Sequence, residues 1–209
     1  ALNTTALEQS LQEIVKRHEV LRATLTQTAG QPVQIIAPTF PINPILKHIN
    51  VSEEEVNALV LEEFRRPFDL AKDALLRTTL LRLSETEHVW IVIMHHTISD
   101  GWSLGVLVQE LIALYAAFIK GESSPLSDLP IQYTDFALWQ RQWLTGDVLE
   151  TQLTYWKQQL AGVPPLLKLP TDRLHPAEQS FRGSSETFYI DRQITKQLKR
   201  LTQGSGTTL

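Results

Sequence analysis

Apolar residues recur at helical spacing from the start of the chain, with Leu7, Leu11, Ile14 and Val15 on one face. Thr5 followed by Glu8 has the form of a capping box, so a helix is expected to open there, with His18 on its apolar face. The pattern then changes period. The stretch "VLRATLTQTAGQPVQIIAP" alternates around Gly30, as a β-hairpin does. Ser52 and Glu55 open a second capped helix, whose early Glu53, Glu54 and Glu55 and late Arg65 and Arg66 complement its dipole before Pro67 closes it. Two strands are expected in "LLRTTLLRL" and "HVWIVIMHH". The second lacks alternation, which implies burial on both faces.

A long apolar helix follows from Ser103, with Leu104, Leu107, Val108, Leu111, Leu114, Tyr115 and Phe118 repeating at helical spacing until Gly121. Helices are expected in "YTDFALWQRQWL", where Tyr133, Phe136 and Trp139 read as core, and in "DVLETQLTYWKQQLAG", which stops at Gly162 before Pro164 and Pro165. After an irregular connector to about Gly183, a strand "SSETFYID" and a helix "ITKQLKRLTQG" complete the chain. The mixture is α/β, and its hairpins argue against a simple βαβ winding.

Composition narrows the classes. Nineteen basic against 23 acidic residues leave a net charge of −4 with no basic block, so nucleic acid has little electrostatic attraction for this chain. Without cysteine there is no disulfide, thiolate nucleophile or thiolate metal site. No apolar run is read as reaching the length needed to cross a bilayer, so a soluble protein with no membrane partner is expected, and the lack of cysteine fits a cytoplasmic one. At 209 residues the chain can bury a sizeable core. Its one methionine is Met94 and it stops at "GSGTTL", so it reads as an excerpt of a longer polypeptide.

Chemistry concentrates where the second strand meets the long helix, in "MHHTISDGWS". Successive strand side chains point to opposite faces, so one of His95 and His96 is expected to pack and the other to face a cleft. That divergence also argues against a metal site. A neutral imidazole accepts protons at cellular pH, and a placed general base contributes roughly 10²–10⁴ in rate. Asp100 could orient the histidine or pair with an arginine elsewhere. Gly101 would permit a backbone geometry closed to other residues, and Ser103 suits an N-cap. The same letters contain Gly101-Trp102-Ser103-Leu104-Gly105, the G-x-S-x-G of a nucleophile elbow. Asp147 or Asp172, then His175, would complete such a hydrolase triad. However, "TISDG" separates Ser103 from the strand and His175 sits in the connector, so the capping role is preferred.

Three stretches together resemble one family. "MHHTISDGWS" is similar to the H-H-x-x-x-D-G signature of condensation domains from non-ribosomal peptide synthetases, "RHEVLRATL" to their R-H-E-x-L-R-T-x-F and "YTDFALWQ" to their Y-x-D-F/Y-A-x-W. "RPFDL", "YWKQQLAG" and "LPTDR" also read as family phrases, while "ATL" and "DRLHP" depart from the usual wording. The resemblance implies a chloramphenicol-acetyltransferase-like lobe with a mixed sheet flanked by helices. Residues 1–180 would form the N-terminal lobe, and 181–209 would begin a C-terminal lobe that completes the domain. It implies amide bond formation between a carrier-bound aminoacyl or peptidyl thioester and a carrier-bound amino acid. His96 would be the catalytic histidine, Asp100 a structural group paired with Arg17, and Gly101 a point of close approach. Arg22 is an alternative to Arg17, and His95 and Trp102 would pack. The implied partners are upstream and downstream carrier domains bearing phosphopantetheine, the missing lobe and neighbouring modules. No cofactor would be held by the chain itself. A non-catalytic lobe that only docks carriers is the remaining alternative.

Overall fold

A computed structural model describes residues 1–39, 46–167, 169–173, 176–178, 183 and 186–209. The chain divides into two compact units, Ala1–Gln159 and Leu160–Leu209.

In the first unit, α1 (Thr4–Arg17) is capped by Asn3, whose side chain accepts from the Ala6 N–H at 3.0 Å. The cap therefore lies two residues before Thr5, because Asn is at least as good an N-cap acceptor as Thr. A 3₁₀ turn (Glu19–Arg22) leads to β1 (Ala23–Thr28) and β2 (Gln31–Ile36), paired antiparallel. Ala29 and Gly30 both have positive φ in the two-residue turn between them, the geometry whose twist matches that of the flanking strands.

A second sheet has the order β3-β4-β5: Leu46–Asn50, Leu76–Arg82 and His88–Met94. The helix α2 (Glu53–Arg65) carries the chain across from β3 to the parallel β4, and β5 returns antiparallel. The sheet is therefore mixed, as expected, but it contains one βαβ crossover alongside its hairpin. The strand β3 went unread in the sequence. The strand buried on both faces is the central β4, where Leu80 and Leu81 are closed off, and not β5. As an edge strand β5 is only half-buried, and its apolar run does not by itself confer burial.

The helix α3 (Gly101–Phe118) crosses α1, and Leu114 meets Leu7, Leu11, Ile14, Val15 and Leu75 in one core. Burying each such leucine is worth about 1.5–3 kcal/mol. By length and composition alone α3 could cross a membrane, which corrects the expectation that no run would reach that length. The helices α4 (Tyr133–Trp143) and α5 (Gly146–Gln159) follow. Tyr133, Phe136, Trp139 and Trp143 form a ladder of rings, with centroids 6.1, 5.6 and 5.4 Å apart, and all four are exposed. They are not core. Their apolar face packs largely ring on ring, since the strongest contact of α4 is with the short 3₁₀ turn.

In the second unit, α6 (Arg192–Ser205) is capped by the Asp191 carboxylate, which accepts from the Gln193 and Ile194 N–H groups. Residues 186–190 form no strand, having no paired neighbour among the described residues, and Phe188 and Tyr189 are exposed. The start of that expected strand, Ser184 and Ser185, lies outside the described residues.

Candidate functional site

The site is a turn between β5 and α3. The His95 N–H donates to the Leu75 carbonyl, which fixes the end of β5 to the residue preceding β4. The chain then folds back at once, with the Ile98 N–H donating to the His95 carbonyl at 3.1 Å. His96 occupies this turn and is exposed, whereas His95 is half-buried against Phe68, their ring centroids 5.8 Å apart and nearly perpendicular. His95 Nδ1 accepts from the Thr97 N–H at 3.2 Å and lies 2.9 Å from the Thr97 hydroxyl. One histidine packs and its neighbour faces outward. The edge-strand position of β5 is what leaves room for the second.

Asp100, not Ser103, is the N-cap of α3. Its Oδ1 accepts from the Ser103 N–H at 2.8 Å and from the Ser103 hydroxyl at 2.7 Å, while the Asp100 N–H donates to Ser103 Oγ at 3.3 Å. A carboxylate is the stronger acceptor and complements the positive end of the helix. The Ser103 hydroxyl, then its N–H, then the Trp102 N–H and the charge of His96 hold the Asp100 carboxyl below the usual carboxylate range. Asp100 thus sits near His96 as an anion, with its Oδ1 already engaged by Ser103.

The hydrolase reading fails on the same contacts. Asp100 holds the Ser103 hydroxyl as both donor and acceptor, and Ser103 lies in the first turn of a helix and not at a strand-to-helix elbow. His175, its proposed base, lies outside the described residues.

Arg17 does not reach Asp100. Its Nε donates to Glu110 Oε1 at 2.9 Å and a second nitrogen donates to the Ser127 carbonyl, while His18 Nε2 is 2.7 Å from Glu110 Oε2. Glu110 lies ten residues beyond Asp100, about 15 Å along the helix axis, too far for one side chain to serve both. His18 accordingly ends α1 as a partner of Glu110 and does not merely pack on the apolar face. Arg22 serves backbone instead. It donates to the carbonyls of Val15 at 3.1 Å and Lys16 at 3.4 Å, groups left over at the end of α1, and to that of Ala37 just after β2. Neither arginine belongs to the turn.

Gly101 is the first residue of α3, has no positive φ, and a Cβ built on it would meet nothing within 4 Å. The fold of this chain therefore gives no backbone reason for glycine there. Its N–H, at the first helical position, has no intrahelical acceptor. Trp102 is 85% exposed, so it is not a packing residue. It stands at an apolar cavity of about 240 Å³ lined also by Met94, Ile98, Ser99, Leu107 and Tyr133. Sequence reasoning missed Glu110, although it is the one charged residue between Gly101 and Phe118. A lone carboxylate in an apolar helix requires a partner when it is buried. Phe68 and Arg77 behind His95 were missed as well.

Comparison with known proteins matches the whole of this architecture. A family model described as Condensation domain covers residues 1–209. A linear gramicidin synthase of Brevibacillus parabrevis is 46% identical over 215 residues, taking in 100% of this chain and 4% of that protein. Malpinin synthetase of Mortierella alpina is 44% identical over 211 residues, with 100% and 3% covered. The chain thus spans a few hundredths of the length of these relatives. Among solved structures, the X-domain in a complex with OxyB from teicoplanin biosynthesis superimposes with a TM-score of 0.84 at 31% identity, over 100% of this chain and 46% of that one. With a family model over its whole length and a relative 46% identical across all of it, the chain belongs to the condensation-domain family.

Proposed function

We propose that this chain supplies the histidine-bearing part of a condensation domain that forms amide bonds between two carrier-bound substrates. On this reading residues 1–180 belong to the first lobe, 181–209 open the second, and the whole works in the cytoplasm among neighbouring synthetase modules. The amino nitrogen of the acceptor attacks the thioester carbon of the donor. A C–N bond forms, the carbonyl electrons pass to oxygen and return, and the C–S bond breaks. His96 takes the proton from the attacking amine and passes it to the departing phosphopantetheine thiolate. The Gly101 N–H is the donor available to the transient oxyanion. Asp100 holds the turn and the start of α3.

The observation that carries this reading is the exposed His96 on a turn whose flanking His95, Thr97 and Asp100 are held by hydrogen bonds. The test is amide formation by the complete domain with loaded donor and acceptor carriers, followed by intact mass of the acceptor. His96→Ala is expected to lower the rate by roughly 10²–10⁴ while the fold is retained. Full activity in that variant would leave catalysis to juxtaposition of the two thioesters alone.

A further inference from the structure

The phrase "RPFDL" has no part in the chemistry above, yet the structure joins it to the histidine turn. Arg77 of β4, whose side chain is only 8% exposed, reaches back to the connector after α2. Its Nη2 donates to the carbonyls of Arg66 at 2.7 Å and Glu63 at 3.2 Å, and its Nη1 to that of Pro67 at 3.2 Å. Its Nε lies 3.8 Å from Glu63 Oε2. The guanidinium carbon sits 3.8 Å from the centroid of the Phe68 ring. Phe68 in turn meets the His95 imidazole edge-to-face, and His95 Nδ1 accepts the Thr97 N–H. The contacts form one unbroken series from Arg77 through Phe68 and His95 to Thr97, the residue after His96.

Each contact constrains a different freedom. Three carbonyls fix the plane of the guanidinium, because a planar fork with several occupied donors cannot rotate without losing them. Cation–π attraction then selects the position of the Phe68 ring, and it is strongest where the cation is desolvated. Burial pulls the Arg77 pKa down, as desolvation of a cation does, with the nearby Arg66 acting in the same direction. The perpendicular ring pair orients His95, which leaves Nδ1 aimed at the turn backbone.

We propose that Arg77 and Phe68 are positioning residues for His96, acting through His95 to set the turn that presents it; this rests on His96 carrying the chemistry. A turn displaced by about 1 Å at a reacting group can cost roughly a hundredfold in rate.

The experiment is steady-state amide formation by the complete domain at varied acceptor-carrier concentration, with His96→Ala run alongside. Phe68→Leu is expected to lower kcat roughly ten- to a hundredfold with KM unchanged. Phe68→Tyr, which keeps the ring, should restore most of the loss. Arg77→Lys, which keeps the charge but gives up the planar fork, should lower kcat in the same way and serves if Phe68→Leu does not fold. Wild-type kcat in folded Phe68→Leu or Arg77→Lys, with His96→Ala inactive, overturns the positioning role alone. Loss that Phe68→Tyr does not rescue, or that tracks the unfolded fraction, overturns it too. Full activity in His96→Ala removes both this proposal and the reading beneath it.

Discussion

From Glu110 to Phe118, α3 is fastened down: Leu114 and Ala117 are closed off, and Glu110 is gripped by Arg17 and His18 from the end of α1. From Gly101 to Gln109 the same helix stands open, with Trp102, Leu104 and Val108 exposed and the histidine turn leading into it. Composition does not distinguish the two halves, since both are apolar. What separates them is which half α1 reaches. The anchored half fixes the direction of the helix, and the open half is then free to present groups to something outside the unit. The two arginines of the first motif serve the anchored half, one through Glu110 and one through the α1 carbonyls.

The largest expected effect falls on the anchored half. Arg17→Ala leaves Glu110 with only His18 and is expected to cost about 3 kcal/mol of stability, seen as a lowered denaturation midpoint. In combination with Glu110→Gln the loss should be well short of the sum, because both variants break one network. Unchanged stability together with lost amide formation would return Arg17 to the histidine turn and dissolve the contrast.

Gly101→Ala probes the open half. The position is helical and roomy, so stability should hold or rise by up to about 1 kcal/mol. On the proposed function amide formation is nonetheless expected to fall, since that reading puts an approaching substrate in the space a methyl group would take. Retained activity would mean that nothing comes close to Gly101.

The smallest effect concerns Ser103→Ala, which removes the main cause of the lowered Asp100 pKa. The carboxyl should titrate closer to its ordinary range, as carboxyl-detected NMR would record. The sign follows from linkage. A carboxyl whose folded pKa is depressed adds stability above its unfolded pKa and loses it as pH falls through the folded value. Ser103→Ala narrows that acid-side window and leaves neutral pH almost untouched. A titration identical to that of the unsubstituted protein would show that the helix N–H groups alone hold the charge.

Much of this was legible beforehand for identifiable reasons. The capping box at Ser52 formed between the expected residues, with the Ser52 N–H and hydroxyl both 2.9 Å from Glu55 Oε2, because a cap is settled within four residues. The Ala29–Gly30 turn likewise needed only local backbone preference. The histidine pair divided into a packed and an exposed member, as alternation at a strand end suggests. The misreadings have a different origin. The apolar run of β5 suggests burial on both faces, whereas position in the sheet gives that burial to β4. Tyr133, Phe136 and Trp139 look like core by spacing, but spacing does not supply the surface that would cover them.

The sequence by itself determined the helices, the first hairpin and the placing of His95, His96, Asp100 and Gly101 on one strand-to-helix turn, because those depend on interactions among near neighbours. Which residues back that turn, and which anchor the helix beyond it, was decided only by the tertiary structure. Glu110 meets Arg17 across 93 residues, and Phe68 meets His95 through a connector that no local pattern links to it. Ion pairs and ring contacts form wherever folding brings buried groups within reach, and that proximity is a property of the packed chain.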